Sequence, residues 1–138
     1  IIEKLINKLG QPNFMAQLSQ GFEDYLEVIY LLERNNGNDQ VKTKDIADEL
    51  NVKLPSVTEM IKKLSKDQLV ESENYGPIKL TKKGRIIAKE VYEKHKTLTK
   101  FFMLIGVDEV TAAKDACHAE HILSSKTITK IKQFVKDH

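Results

Sequence analysis

Residues 69–84 read LVESENYGPIKLTKKG, and this stretch decides the fold. Two short runs, residues 69–73 and 78–80, flank a turn at residues 74–77 that contains glycine and proline, which predicts a two-stranded β-hairpin. Residues 81–84 follow at once and begin with a threonine in the position of a helix cap. The stretch therefore predicts a hairpin that leads directly into another helix.

Two short amphipathic helices are predicted before this hairpin. Thr43 caps the first, which runs through Leu50, and the second begins near Pro55, a residue that the first turn of a helix accepts. Residues 51–52 form the tight turn between them. A plain helical hairpin with a solvated face would share this pattern, but a wing hairpin directly after it is far more specific. The order indicates a winged helix-turn-helix, which is a DNA-binding unit.

Helical periodicity continues on both sides of this unit. Apolar residues in 22–33 recur with the period of an amphipathic helix. A long helix is predicted from Thr81 to about Ile105, Asp108 opens a further helix, and a serine at 124 or 125 caps the last one. These helices carry more apolar surface than so small a domain can bury.

The predicted fold is mainly α, with a winged helix-turn-helix DNA-binding domain in residues 22–80 and an α-helical metal-binding and dimerisation domain in residues 81–138. Residues 1–21 are an N-terminal arm to which we assign no function. The surplus apolar surface predicts a homodimer, and two-fold dimers are the usual form of proteins that bind paired DNA half-sites.

Composition bounds the class of protein. The chain has 138 residues, 41% of them hydrophobic, which is enough for a core without disulfides. The formal net charge is only +2, so DNA binding must depend on local clusters of lysine. One cysteine excludes an internal disulfide. With no signal peptide and no long apolar run, we expect a cytoplasmic protein without membrane contact and with a reduced thiol.

Three potential metal ligands stand close together in the sequence. Cys117, Glu120 and His121 have the i, i+3 and i+4 spacing that places side chains on one helix face. A thiolate, a carboxylate and an imidazole suit a transition metal better than magnesium or calcium. The plainer interpretation is a buried thiol beside a solvated Glu and His pair.

Further ligands must come from other helices. Asp24 and Glu27 are an i, i+3 pair of carboxylates on the first helix, and His95 lies alone among lysines on the long helix. Each is weak by itself, because such carboxylates are mostly solvated and such a histidine is usually a surface residue. Three helices that each offer ligands are a stronger signal.

Taken together, these motifs resemble the diphtheria-toxin-repressor family of metal-dependent transcription regulators, in its short two-domain, manganese-responsive branch. The resemblance covers roughly residues 22–135 and lies in five motifs: EDYLE at 23–27, DIA at 45–47 with PSVT at 55–58, LTKKG at 80–84, KH at 94–95 with IGVD at 105–108, and DACHAEH at 115–121. By matched position, it implies the metal ligands Asp24, Glu27, His95, Cys117, Glu120 and His121. The same six residues are the candidate ligands that their types and spacing indicate.

The departures bear on the choice of metal. Asp24 resembles the manganese-responsive branch and Cys117 the iron-responsive branch, while Thr99 and Ala113 stand where some members carry further ligands. Carboxylate oxygens favour Mn²⁺ or Fe²⁺, and the thiolate favours Fe²⁺, Co²⁺, Ni²⁺ or Zn²⁺. We expect Fe²⁺ or Mn²⁺ as co-repressor, with Zn²⁺, Co²⁺ or Ni²⁺ as substitutes in vitro.

The DNA operator is expected to meet the second helix of the helix-turn-helix. Ser56, Thr58 and Lys62 are predicted to enter the major groove, and Pro55 shapes the start of that helix. Phosphate contacts, which position the protein but do not specify the sequence, are expected from a further set: Thr43, Lys44, Lys63, Tyr75 and Lys79. We expect bound metal to hold the two recognition helices of the dimer about one DNA turn, roughly 34 Å, apart.

Three other functions compete with this hypothesis. A metal-independent winged-helix regulator could sense redox state or electrophiles through Cys117, in which case Asp24 and Glu27 would not matter. A small metallo-hydrolase could use Cys117, Glu120 and His121 with an open ligand position. Because no general base, oxyanion arrangement or phosphate-binding glycine loop accompanies them, we expect no enzyme and no small organic substrate. A helical interaction module would leave the wing without a purpose.

Overall fold

The computed structural model describes residues 12–36, 41–73 and 76–138, and the fold is mainly α, as predicted. The described elements are α1 (Pro12–Asn36), α2 (Thr43–Leu50), α3 (Leu54–Lys66), β1 (Val70–Ser72), β2 (Ile78–Leu80), α4 (Lys82–Leu104), α5 (Glu109–Ala119) and α6 (Ser125–Asp137). None of the described helices is both long enough and apolar enough to cross a membrane. The predicted arm falls in part, at residues 1–11, outside the described residues.

The chain forms two compact units. One consists of residues 21–90, and the other contains residues 91–138 together with residues 12–20. This division falls within α4. The predicted domain boundary between residues 80 and 81 stays a prediction.

The first unit is built around the apolar faces of α1, α2 and α3. Leu26 and Ile29 of α1, Ile46 of α2 and Leu64 of α3 are fully buried and belong to one core. Their spacing is that of amphipathic helices, so the same residues that predict each helix also hold the helices together. Fully burying a side chain of this size contributes roughly 1.5–3 kcal/mol.

The turn between α2 and α3 is tight because Asn51 adopts a left-handed conformation, with φ 54° and ψ 48°. Asparagine tolerates this conformation better than most residues. The predicted N-cap of α2 is wrong by one residue: Lys42, and not Thr43, is the N-cap. The backbone N–H of Lys42 donates to the Asp45 carboxylate at 3.0 Å, which closes the first turn without a hydroxyl cap.

The wing is the antiparallel pair β1 and β2, in which Val70 pairs with Leu80, Glu71 with Lys79 and Ser72 with Ile78. Where the chain passes from the wing into α4, the backbone at Gly84 lies very close to the backbone of Leu69. A Cβ atom at Gly84 would overlap the carbonyl oxygen of Leu69, so only glycine fits there. Thr81 caps α4, since its hydroxyl accepts the N–H of Gly84 at 3.0 Å.

The second unit is a small helical core. Leu98 of α4, Ala116 of α5 and Ile128 of α6 are its buried centre. Ala116 is fully buried. Its small side chain lets the helices approach closely. Asp108 caps α5 and Ser124 caps α6, as the sequence predicted, through hydrogen bonds from the N–H groups of Thr111 and Thr127.

Candidate metal centre and DNA-binding surface

Three potential ligands meet within the second unit. His95 from α4, Cys117 from α5 and Glu120 each offer one ligand atom, and these atoms lie within 4.8 Å of one another. A nitrogen, a sulfur and an oxygen donor at this separation fit a transition metal. Helix α4 and the region of α5 therefore contribute to the same cluster. The spacing of these residues in the sequence could not show this.

Glu120 is the centre of this cluster. Its side chain is fully buried; Oε2 lies 3.4 Å from Nδ1 of His95, and Oε1 lies 3.3 Å from Nε2 of His121. Neither carboxylate oxygen accepts a hydrogen bond from the described residues. Since a buried carboxylate without compensation is costly, this position calls for positive charge, which a divalent cation supplies.

The helix predicted through residues 115–121 ends earlier than expected, and the shared face of Cys117, Glu120 and His121 stays a prediction. Helix α5 ends at Ala119, Glu120 is its C-cap, and the backbone then tightens into an i+3 hydrogen bond from the N–H of His121 to the carbonyl of His118. Leu123, which follows this turn, packs against the core of the second unit. The Nε2 atom of His121 lies 3.3 Å from Oε1 of Glu120.

Several neighbouring polar groups do not contribute ligands to this cluster. The hydroxyl of Thr99 donates to the carbonyl of His95 at 2.8 Å, which ties it to its own helix. His118 is exposed, with Nδ1 2.9 Å from the carbonyl of Lys114. His138 is exposed and stacks on Phe134.

The two predicted carboxylate ligands of α1 belong to the first unit. Asp24 is half-buried, and Glu27 is buried, with 8% of its surface exposed. Glu27 is not the solvated carboxylate that its i, i+3 spacing with Asp24 ordinarily indicates. Their assignment as metal ligands stays a prediction.

The residues of α3 that are predicted to act in DNA binding are all exposed. Pro55, Ser56, Thr58, Lys62 and Lys63 are exposed, while Val57, Ile61 and Leu64 point into the core. The hydroxyl of Thr58 donates to the carbonyl of Leu54 at 3.2 Å, so its methyl group and oxygen lone pairs remain available to DNA.

The predicted phosphate contacts are distributed over α2, α3 and the wing. Lys44 and Lys79 are exposed, and Thr43 is half-buried in the first turn of α2. Tyr75 lies outside the described residues. The described part of this surface therefore carries exposed lysines, although the net charge of the whole chain is only +2.

Sequence analysis missed Glu33, a buried carboxylate in the first unit. Its Oε1 accepts the N–H of Leu80 at 2.9 Å, and its Oε2 lies 2.9 Å from Nη1 of Arg85. A signal was present, since Glu33 continues the buried stripe of Leu26 and Ile29. A charged residue at a core position of an amphipathic helix indicates a buried ion pair.

Comparison with known proteins adds family information to this geometry. Residues 17–78 match the family model described as iron dependent repressor, N-terminal DNA binding domain. Residues 81–138 match the model described as iron dependent repressor, metal binding and dimerisation domain. Together the two models span both units of the fold.

Two relatives illustrate the sequence similarity. An uncharacterized HTH-type transcriptional regulator of Methanocaldococcus jannaschii is 43% identical over 120 residues, which are 86% of this chain and 95% of that protein. The HTH-type transcriptional regulator MntR of Bacillus subtilis is 40% identical over 114 residues, which are 83% of this chain and 79% of that protein.

Solved structures agree with the fold. The manganese regulator SloR matches with a TM-score of 0.73 at 32% identity, over 83% of this chain and 53% of that one. The IdeR protein of T. acidophilum matches with a TM-score of 0.70 at 27% identity, also over 83% and 53%. The chain thus spans about half the length of these solved structures.

Proposed function

The chain belongs to the iron dependent repressor family of metal-dependent, DNA-binding transcription regulators, and from that premise we propose that a divalent metal is its co-repressor. The two family regions are a DNA-binding domain and a metal-binding and dimerisation domain. We assign the metal to six residues: Asp24, Glu27, His95, Cys117, Glu120 and His121.

The observation that carries this proposal is the environment of Glu120. Its buried carboxylate lies between the imidazoles of His95 and His121, with Cys117 in the same cluster. Deprotonated thiol, neutral imidazoles and carboxylate are the forms that bind a metal. A bound divalent cation supplies the positive charge that this carboxylate lacks.

We propose Fe²⁺ or Mn²⁺ as the physiological co-repressor. The carboxylates favour both ions, while Cys117 favours Fe²⁺ over Mn²⁺ and also accepts Zn²⁺, Co²⁺ or Ni²⁺ in vitro. The names of SloR as a manganese regulator and of the family as iron dependent support the same pair of ions.

We propose that residues 22–80 bind operator DNA and that residues 81–138 hold the metal and form the homodimer. In this assignment Ser56, Thr58 and Lys62 contact bases, and Pro55 sets the start of α3. The proposed phosphate contacts are Thr43, Lys44, Lys63, Tyr75 and Lys79. The exposure of the described members of this set supports the assignment.

We propose a role in the cytoplasm, where a transcription regulator meets its DNA, in iron or manganese homeostasis. The partners that we assign are an operator and a second copy of the chain. We assign no catalytic residue, small organic substrate or membrane.

The proposal is tested by anaerobic selection from a pool of fragments of the source genome, in parallel with Mn²⁺, Fe²⁺, Zn²⁺ and chelator. We expect a few fragments to be retained with metal and lost with chelator. Equal retention in chelator would contradict the proposal and favour a regulator that senses through Cys117 alone.

A further inference from the structure

A single buried carboxylate ties three elements of the first unit together. The side chain of Glu33, near the end of α1, is 1% exposed. It accepts the N–H of Leu80, the last residue of β2, and forms an ion pair with Arg85 in the first turn of α4. The ends of α1 and of the wing and the start of α4 are thus fixed to one another by one side chain.

The hydrogen bond to Leu80 completes the outer edge of the wing. Alternate residues of a strand turn their N–H groups to opposite sides. On the side of β2 away from β1, the N–H of Ile78 donates to the carbonyl of Val41 at 2.8 Å and that of Leu80 donates to Glu33 at 2.9 Å. The Glu33 carboxylate therefore accepts the hydrogen bond that a carbonyl group of a neighbouring strand would otherwise accept from the end of β2.

These two hydrogen bonds bracket a residue of the DNA-binding surface. Ile78 and Leu80 bury their side chains, at 1% and 6% exposure, while Lys79 between them is exposed. Since successive strand side chains point to opposite faces, the anchoring of residues 78 and 80 determines where Lys79 points. A shift of Glu33 consequently moves the wing lysine.

The same helix carries the proposed metal ligands. Helix α1 is continuous from Pro12 to Asn36, and Glu33 lies six residues after Glu27, roughly 9 Å along the helix axis. A helix of this kind moves as a rigid body over such a distance. Any constraint placed on Asp24 and Glu27 is therefore also placed on Glu33.

We propose that Glu33 is a positioning residue that couples metal binding at α1 to the placement of the wing on DNA. This inference rests on the proposed function, because it requires Asp24 and Glu27 to be metal ligands. Metal held by Asp24 and Glu27 constrains the position of α1, Glu33 carries that constraint to β2, and Lys79 is held where it meets a phosphate. The ion pair with Arg85 holds the buried carboxylate in place.

The test compares full-length wild type with Glu33→Gln and Arg85→Gln on one operator. Operator Kd is measured with saturating Mn²⁺ and with chelator, and Mn²⁺ affinity is measured with and without operator. Coupling between two ligands is reciprocal, so both pairs of measurements report the same quantity. We expect each substitution to reduce the coupling about tenfold or more while the Mn²⁺ affinity of the DNA-free protein stays within about twofold.

Matched variants separate coupling from simple loss of stability. Glu90→Gln removes the same charge from an exposed position of α4 and should leave the coupling unchanged. Arg85→Lys keeps the positive charge and should restore part of the coupling. If Glu33→Gln does not fold, Arg85→Gln carries the test, because Arg85 is 46% exposed and its loss leaves the core packing intact.

The outcomes are distinguishable. Equal weakening of operator binding with metal and with chelator, with the coupling preserved, would reduce Glu33 to a structural residue and overturn the inference alone. A wild-type protein without metal dependence would overturn the proposed function, and the inference with it. Loss of coupling in Glu33→Gln and Arg85→Gln, with coupling preserved in Glu90→Gln, supports the inference.

Discussion

The Nδ1 atom of His95, on α4, lies 3.4 Å from Oε2 of Glu120, at the end of α5. This contact joins two helices through polar groups in the small core of the second unit, where an apolar contact would be the simpler way to fill space. A carboxylate buried against two imidazoles and a thiol is poorly suited to stability alone. It is well suited to holding a cation.

Cys117→Ser should reveal a thiolate ligand. Co²⁺ bound by a thiolate gives a sulfur-to-metal charge-transfer band in the near ultraviolet, and we expect the wild type to show this band and the variant to lack it. Loss of the soft donor should weaken Co²⁺ binding roughly tenfold or more, about 1.4 kcal/mol. The matched control is His118→Ala, which alters an exposed residue on the same helix. A band that persists in Cys117→Ser would place the thiol outside the site.

Two glycines should respond to alanine in opposite ways. At Gly84 the added Cβ meets the Leu69 backbone, so Gly84→Ala should destabilise the protein by roughly 2 kcal/mol or more. At Gly21, inside α1, the added Cβ makes only an ordinary contact with Met60 at 3.8 Å. Gly21→Ala should therefore stabilise the protein by about 0.5–1 kcal/mol through helix propensity. Urea denaturation measures both, and a Gly84→Ala protein as stable as wild type would contradict the close approach.

The N-cap of α5 should make a small part of the stability depend on pH. The backbone N–H of Thr111 donates to the Asp108 carboxylate and, with the Thr111 hydroxyl, lowers the pKa of that group. A lowered folded-state pKa means that the stabilisation is complete above the ordinary pKa of aspartate. It is lost as pH falls through the folded-state value.

The difference in Tm between wild type and Asp108→Asn should accordingly shrink on acidification, because asparagine still caps the helix but does not titrate. Ser124→Ala, which removes the uncharged cap of α6, is the control and should give a difference that does not change with pH. If the Tm difference between wild type and Asp108→Asn did not change with pH, the charge of Asp108 would not contribute to the cap.

Two residues of α3 should affect DNA binding differently. Lys63→Ala should weaken binding to all sequences alike and reduce the slope of log K against log salt by about 1, as expected for one phosphate contact. Ser56→Ala should instead reduce discrimination between the operator and altered sites by about 1–3 kcal/mol. Fluorescence anisotropy on a panel of single-base variants at several salt concentrations separates the two. A loss on one sequence only for Lys63→Ala would mean that it contacts bases.

The local part of the fold was predictable from sequence, because helix periodicity and turn residues act over a few positions. Val57, Ile61 and Leu64 identify the buried face of α3, and glycine and proline identify the turn of the wing. Interactions between distant segments were not predictable in this way. The N-cap of α2 at Lys42 is recognised by the hydrogen bond of its N–H to the Asp45 side chain, and the pairing of Glu33 with Arg85 is apparent only once three elements are folded together.

The candidate metal centre shows the same division. Residue types and spacing selected Cys117, Glu120 and His121, and the structure brings the first two together with His95. The end of α5 at Ala119 was missed, since it is set by the packing of Leu123 and by the cap that Ser124 provides for the next helix. Helix ends follow such tertiary demands more than local propensity.

Operator Kd with Mn²⁺ or Fe²⁺ and with chelator, measured anaerobically for wild type and Glu120→Gln, tests the central claim most directly. Glutamine keeps the size of the side chain but removes the charge that the cation neutralises. We predict that wild type binds the operator at least about 100-fold more tightly with metal, a difference of about 2.7 kcal/mol, and that Glu120→Gln loses most of this difference while remaining folded. Equal Kd values for wild type with metal and with chelator, or full metal dependence in Glu120→Gln, would contradict the account.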